Sequence, residues 1–358
     1  MSDTTRRTAA DPAATPQPGP AAGPAAAVAD PAPAVLPDRP ARTARRRPRL
    51  RRLSRRDLLV LGLLLGIPVL LDLALVWGPA LASVGLSFTS WDGIGAIHGV
   101  GGRNYVDVTT NYPPFWPAVR HNLVWLGFLA LVATPLGLFF AVLLDRGIRF
   151  SRFYQSALYL PVVLSLAVIG FIAQLIFSRD QGALNSLLGR TQDPVDWIGD
   201  PSINLWAVLL LAGWRHTGYV MILYLAGLKS VDPSLKEAAA IDGANEAQAF
   251  FRVVLPTLRP VNIIVGVITV IEALRAFDIV YAVNHGRNGL ELLSVLVTDN
   301  IIGEASRIGF GSAVAVLLLV VSIGCIIGYL AQELREDRYG TRARRRTRPR
   351  KAPRGDRP

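Results

Sequence analysis

The chain has 358 residues, 51% of them hydrophobic and gathered in long apolar runs, which excludes an ordinary soluble domain and points to lipid as the solvent. Its net charge of +12 comes largely from Arg-rich tails flanking the apolar region, a placement that fits topology determinants at the inner membrane face better than nucleic-acid binding. The single cysteine, Cys325, excludes an intramolecular disulfide or a Cys-based metal site, and the four histidines, His98, His121, His216 and His285, lack metal-ligand spacing.

Residues 1–57 are rich in Ala, Pro and Arg without apolar periodicity, so they cannot bury enough surface to offset chain entropy. A disordered cytoplasmic tail is expected there. The basic run 45–56, RRRPRLRRLSRR, abuts the first apolar stretch as a positive-inside anchor does. Ala-Leu-Ala at 80–82 mimics a signal-peptidase site, but the preceding tail is far longer than an ordinary leader, and an uncleaved first span is expected. Crossing about 30 Å of hydrocarbon takes roughly 20 helical residues. That ruler yields six candidate spans: 58–77 (extending toward 88), 122–144, 154–177, 205–228, 261–283 and 310–330. The predicted fold class is an all-α integral membrane protein with about six transmembrane helices. The membrane domain covers 58–330, and a basic cytoplasmic tail covers 331–358.

Loop charges orient these spans. Arg146, Arg149 and Arg152 outweigh Asp145 between the second and third, whereas Asp180, Asp193, Asp196 and Asp200 outweigh Arg179 and Arg190 between the third and fourth. The first loop is therefore placed inside and the second outside, with both termini cytoplasmic.

On the inner side, 229–259 reads as structured rather than as loop. Asp232 followed by Pro233 is an N-cap with proline at the first helical position. Gly243 can end that helix with positive φ. Asn245 can cap a second helix carrying Phe250, Phe251, Val254 and Leu255, and Pro256 and Pro260 bracket the start of span five. On helical pattern alone, an interfacial helix lying on headgroups and a docking knob fit equally well.

The residues themselves favour docking. The string EAAAIDGANEAQAFFRVVLPTLRP (237–260) resembles the EAA signature of ABC-importer permeases, with Glu237, Ala238, Ala239, Asp242, Gly243, Ala244, Val253, Leu255 and Pro256 matching. Ala247 departs from it, standing where relatives often carry tryptophan. The likeness extends over about 58–330 and is nearest the carbohydrate-uptake branch, the maltose-type and glycerol-phosphate-type permeases. LSFTSWDG, LYLPVVLSLAVIGFIAQLIF, MILYLAGLKSVDPSLKEAA and FDIVYAVNHGRNG support it, although the last has His285 to Gly289 in place of the usual Gly-Gly-Pro turn.

What the resemblance implies is a type I importer permease core in the bacterial plasma membrane, translocating a sugar or related polyol. Segment 232–256 would carry the coupling helices, seated in a cleft of an ATPase subunit. The implied partners are a second homologous permease, an ATPase dimer, an external solute-binding protein and membrane lipid, with no nucleic acid. ATP and Mg would be bound by the ATPase subunits and no cofactor by this chain. In line with that division, none of the three lysines, Lys229, Lys236 and Lys351, ends a glycine-rich phosphate loop.

Polar residues within spans are the remaining candidates, because burying them in lipid is costly. Glu272, Arg275 and Asp278 recur at three-residue intervals and are expected on one helix face, able to pair with one another. Arg215 and His216 lie mid-span, Gln174 lies in span three, and Asp72 stands near Pro68 in span one. Each is a candidate for the translocation path or for an interhelical hydrogen bond. Two other classes stay open: an ion-coupled secondary transporter using Glu272, Arg275 and Asp278 as a relay, and a membrane anchor or scaffold acting through its basic tails.

Overall fold

The computed structural model describes residues 54–303 and 306–346. Most of the expected N-terminal tail, and 347–358 of the C-terminal one, lie outside these residues. The chain divides into units 1–60 and 61–358, and the architecture below is that of the second, with the first span's opening turns belonging to the first. Among the described residues the secondary structure is helical, apart from an isolated bridge between Thr89 and Gly99.

The first span, Leu59–Leu86, consists of α1 (Arg55–Asp72), a π-helical turn (Leu73–Trp77) and α2 (Gly78–Leu86). After the short α3 (Arg103–Thr110), the second span, Phe115–Asp145, follows the same plan: α4 (Phe115–Phe128), a π turn (Leu129–Ala133) and α5 (Thr134–Asp145). A third π turn covers Phe250–Val254. Each ends two residues before a proline, namely Pro79, Pro135 and Pro256. Proline has no N–H for the carbonyl four residues back, and its ring crowds that carbonyl. The carbonyl in question, on Leu75, Leu131 or Arg252, falls inside the π turn, where the wider ring makes room for it.

Residues 154–177, expected as one helix, form α6 (Ser151–Val163) and α7 (Leu166–Phe177), which meet at 104°. Leu164 is extended with ψ 144°, and Ser165 starts α7 afresh by accepting Val168 N–H at 3.3 Å. The single-turn α8 (Ala183–Leu187) leads to α9 (Asn204–Ser230), the most enclosed span. Next come α10 (Pro233–Ile241), α11 (Glu246–Ala249) and α12 (Leu255–Thr257). The expected fifth span, 261–283, is likewise broken: α13 (Arg259–Leu274) stops, and α14 (Asp278–Asn284) begins beyond a gap. Asn122 donates to the Ala273 carbonyl at 3.2 Å and Ser294 to that of Ala276 at 2.5 Å, so neighbouring side chains take up carbonyls freed by the break. The fold closes with α15 (Leu293–Ile301) and α16 (Ile308–Arg346), whose apolar part, Ile308–Gln332, is the last span.

Four of these helices are long and apolar enough to cross a membrane, and the bent α6–α7 pair makes a fifth if it counts as one span. The shortfall from six lies at α13, which has 16 residues.

Helices in lipid associate by close packing and hydrogen bonding rather than by exclusion of water, so small residues mark the contacts. A Cβ on Gly137 would meet Val220 Cγ1 at 2.7 Å, and one on Gly218 would collide with the Leu158 carbonyl oxygen. These glycines let α5 and α6 close on α9. One buried cluster gathers around Trp125, Val208, Leu209 and Val280, a second around Met221, Leu225, Val254 and Leu258 beside the α10–α12 segment, and a third around Phe115, Leu296 and Val314.

Candidate functional site

At one end of the bundle, α10 to α12 form a hairpin whose shape is written locally. Asp232 caps α10 by accepting Ser234 N–H at 2.9 Å, and that backbone bond, then Ser234's side chain, holds its carboxyl below the usual carboxylate value. Gly243 has φ +79°, Ala244 N–H reaches the Ala239 carbonyl and Gly243 N–H that of Ala240, which together make a Schellman closure. Asn245 and Gln248 then form a reciprocal capping box, with bonds of 2.8 and 3.1 Å. The expected second helix is interrupted: α11 is a single turn, and the π turn before Pro256 carries Phe250 to Val254.

Glu237, Ala238, Asp242, Gly243 and Pro256 are exposed, Ala244, Val253 and Leu255 half-buried and Ala239 buried. Beside them Ile241 is 87% exposed, an apolar side chain at the tip that sequence reasoning did not single out. Val254 anchors the other arm in the bundle.

Deeper in, a cavity of about 220 Å³ is bordered by α4, α7, α9, α13 and the gap before α14. Arg215, His216, Glu272, Arg275 and Asp278 all line it, with Trp125 and Phe277 as aromatic walls that the sequence alone did not mark. Arg215 Nη1 lies 3.0 Å from Glu272 Oε2, and Arg215 Nε is buried without a hydrogen-bond partner. Behind this pair, His216 is almost fully buried. Its Nε2 lies 3.1 Å from Thr269 Oγ1 and 3.3 Å from Thr134 Oγ1, tying α9 to α13 and α5. Thr217 adds a bond to the Ala133 carbonyl at the end of the π turn.

The expected face of Glu272, Arg275 and Asp278 on one helix is corrected by the break. Arg275 is the C-cap of α13 and Asp278 opens α14, so the three share a cavity and not a helix. Glu272 pairs with Arg215 instead of Arg275. Gln174 stands outside the cavity lining and donates to the Ala282 and Val283 carbonyls, at 2.8 and 3.0 Å, joining α7 to the end of α14. Asp72 is also outside it, exposed on a span whose most apolar window buries no residue.

Comparison with known proteins accounts for this architecture. Residues 133–340 match the family described as the binding-protein-dependent transport system inner membrane component. The chain is 34% identical over 281 residues to the xylose/arabinose import permease protein XacH of Haloferax volcanii, covering 76% of this chain and 87% of that one. It is 32% identical over 234 residues to the arabinooligosaccharides transport system permease protein AraP of Bacillus subtilis, covering 63% and 74%. In fold it is similar to a chain of a bacterial ABC transporter involved in the import of the acidic polysaccharide alginate, with TM-score 0.67, 20% identity and coverage of 78% and 96%.

The protein is a multi-pass membrane transport subunit with the all-α fold of an ABC-importer permease. It belongs to the binding-protein-dependent transport system inner membrane component family. Such a subunit is not an enzyme, ATP hydrolysis residing on a separate polypeptide, and this membership sets aside the ion-coupled transporter and the scaffold.

Proposed function

We propose that this chain forms half of the pathway through which a sugar or related polyol enters the cell, driven by ATP that a separate ATPase pair binds with Mg. The observation that carries the coupling role is the capped hairpin: it is rooted in α9 and α13 and turns Glu237, Ala238, Asp242 and Ile241 outward. A small-residue face permits close approach, a carboxylate can meet a basic group and an apolar tip can fill a cleft, which together suit a protein partner. Contact of Arg146 with Glu246 puts the basic loop at the hairpin's end of the bundle, supporting a cytoplasmic hairpin and cytoplasmic termini.

The translocation path, in this reading, runs past Arg215, His216, Glu272, Arg275 and Asp278. Two acidic and two guanidinium groups beside Trp125 and Phe277 offer hydrogen bonds and flat apolar surface to an uncharged polyol. The named sugar permeases among the relatives support the same cargo class. A second homologous permease completes the pathway, and an external binding protein delivers the cargo; Asp72 and the exposed first span are available to that second permease. ATP-driven closure of the ATPase pair would draw the hairpins together and tilt the spans from inward-open to outward-open.

Proteoliposomes holding the permease pair, the ATPase and the binding protein test this with radiolabelled D-xylose, L-arabinose and arabinobiose. Uptake that needs both ATP and the binding protein is expected. Uptake that persists without ATP and collapses with an uncoupler would overturn the mechanism, and a binding protein retaining no sugar or polyol would overturn the cargo class.

A further inference from the structure

Asp145 and Arg146, neighbours at the end of α5, each reach a different helix of the hairpin. Lys236 Nζ on α10 lies 3.3 Å from Asp145 Oδ2, and Glu246 Oε2 on α11 lies 3.0 Å from Arg146 Nη2. The hairpin's covalent roots are α9 and α13, so α5 is a third attachment from elsewhere in the sequence. Beside the two pairs lies a cavity of about 510 Å³ reaching from Val142 and Leu228 to Ala240, Ala244 and Phe250. Side chains do not fill the space between hairpin and spans there, and the ion pairs bridge it.

As stabilising contacts these pairs are weak: Arg146 is 60% and Glu246 82% exposed, and exposed pairs contribute at most about 1 kcal/mol each. Their pattern matters more. Adjacent residues of opposite sign face partners of opposite sign, so a hairpin that slips or rotates brings Asp145 toward Glu246 and Arg146 toward Lys236, like against like. We propose that Asp145, Arg146, Lys236 and Glu246 are positioning residues, an electrostatic register key that fixes the coupling hairpin to the second span so that α5 moves with it. The proposal rests on the coupling role given to the hairpin above.

A route to the cavity follows from the same contacts. Helix α5 packs along α9 and begins, 12 residues from its keyed end, with Thr134. Thr134 is hydrogen-bonded to His216, whose neighbour Arg215 lines the cavity. A displacement of the hairpin thereby reaches the cavity wall through one helix, in addition to its covalent path through α9.

The test uses the complete importer in proteoliposomes with cysteine-free partner subunits, carrying in this chain Cys325→Ser and Ala212→Cys, Ala212 being on α9 in the wall of the inner cavity. Modification of the introduced thiol by a water-soluble reagent is timed without nucleotide and after ATP with vanadate, which replaces the released phosphate and holds ADP in place, a readout that needs no cargo. Lys236→Asp and Glu246→Arg should each shrink the nucleotide-dependent change in rate by at least ~5-fold while ATP is still hydrolysed. The exchanges Asp145→Lys with Lys236→Asp, and Arg146→Glu with Glu246→Arg, should restore it to within about twofold, and 1 M salt, where the screening length falls to about 3 Å, should weaken the native response. Single reversals that respond like the native chain, or exchanges no better than the singles, overturn the key. If the reversals prevent assembly, Asp145→Asn with Glu246→Gln replaces them, and an undiminished salt dependence then overturns it. Gly243→Val, whose β-branched side chain resists the positive φ, separates the two ideas: loss of response there with native response in the reversals removes the key alone, and native response in Gly243→Val removes the coupling role as well.

Discussion

Arg215 and Glu272 meet at 3.0 Å between α9 and α13, 57 residues apart in sequence, and both line the inner cavity. With their side chains 21% and 42% exposed, the pair is neither fully buried nor freely solvated. Water screens part of the attraction, so breaking it by Arg215→Ala should cost about 1 kcal/mol of stability rather than several. Arg215→Met with Glu272→Leu should recover that stability because no charge is left alone. Uptake by the double variant should still fall at least ~10-fold if the charges handle cargo, since lost stability and lost transport are then different quantities. Thermal melting of the purified complex, set beside uptake, separates the two.

The knot of Thr134, His216 and Thr269 is a smaller and more buried arrangement. Thr269→Val removes one of the two hydroxyl partners of His216 Nε2 and should destabilise the complex by about 1–2 kcal/mol, whereas Thr269→Ser keeps the bond and should stay within about 0.5 kcal/mol of the native chain. The melting temperatures of the two variants, compared directly, decide it.

At Gly243 the constraint is conformational. A Cβ there would touch nothing within 4 Å, yet φ is +79°. Gly243→Asn should therefore retain most coupling, because asparagine visits this region readily, while Gly243→Val carries a penalty of about 1–2 kcal/mol or more. Cargo moved per ATP hydrolysed should follow that order. Equal performance by the two variants would show that the Schellman closure does not shape the hairpin's action.

Asp232 supplies a pH-dependent cap. Its folded pKa lies below the ordinary 3.8, so its stabilisation of α10 is complete above that value and is lost as pH falls through the lowered folded value. Hydrogen exchange of the α10 amides should lose protection in that acidic window for the native chain. Asp232→Asn, which caps without titrating, should show no such transition, and Asp232→Ala should show weak protection at every pH.

Local chemistry explains why much of this was legible in the sequence. Pro233, Gly243 and Asn245 each act on their own few residues, so the hairpin's start, turn and second cap could be read in order along the chain. The apolar runs likewise marked the spans, because solvation by lipid depends on composition over some 20 residues. Of prolines 79, 135 and 256 only Pro256 was read as a break between helices, and the π turns that absorb all three depend on what the surrounding helix can accommodate.

By itself, then, the sequence determined that this chain is a helical membrane protein with a capped hairpin carrying the EAA signature. Hydrophobicity, caps and turn residues are properties of contiguous chain. Only the tertiary structure decided that Glu272 meets Arg215, that Gln174 joins two helix ends, that Asp72 faces outward, and that Asp145 and Arg146 grip the hairpin. Each of those pairings depends on where a bend or a break directs the following helix, and neither the 104° turn after Val163 nor the gap before Asp278 is set by periodicity. Through-space contacts between charges are fixed by the packing of glycine-faced helices, a relation among distant segments that no local pattern encodes.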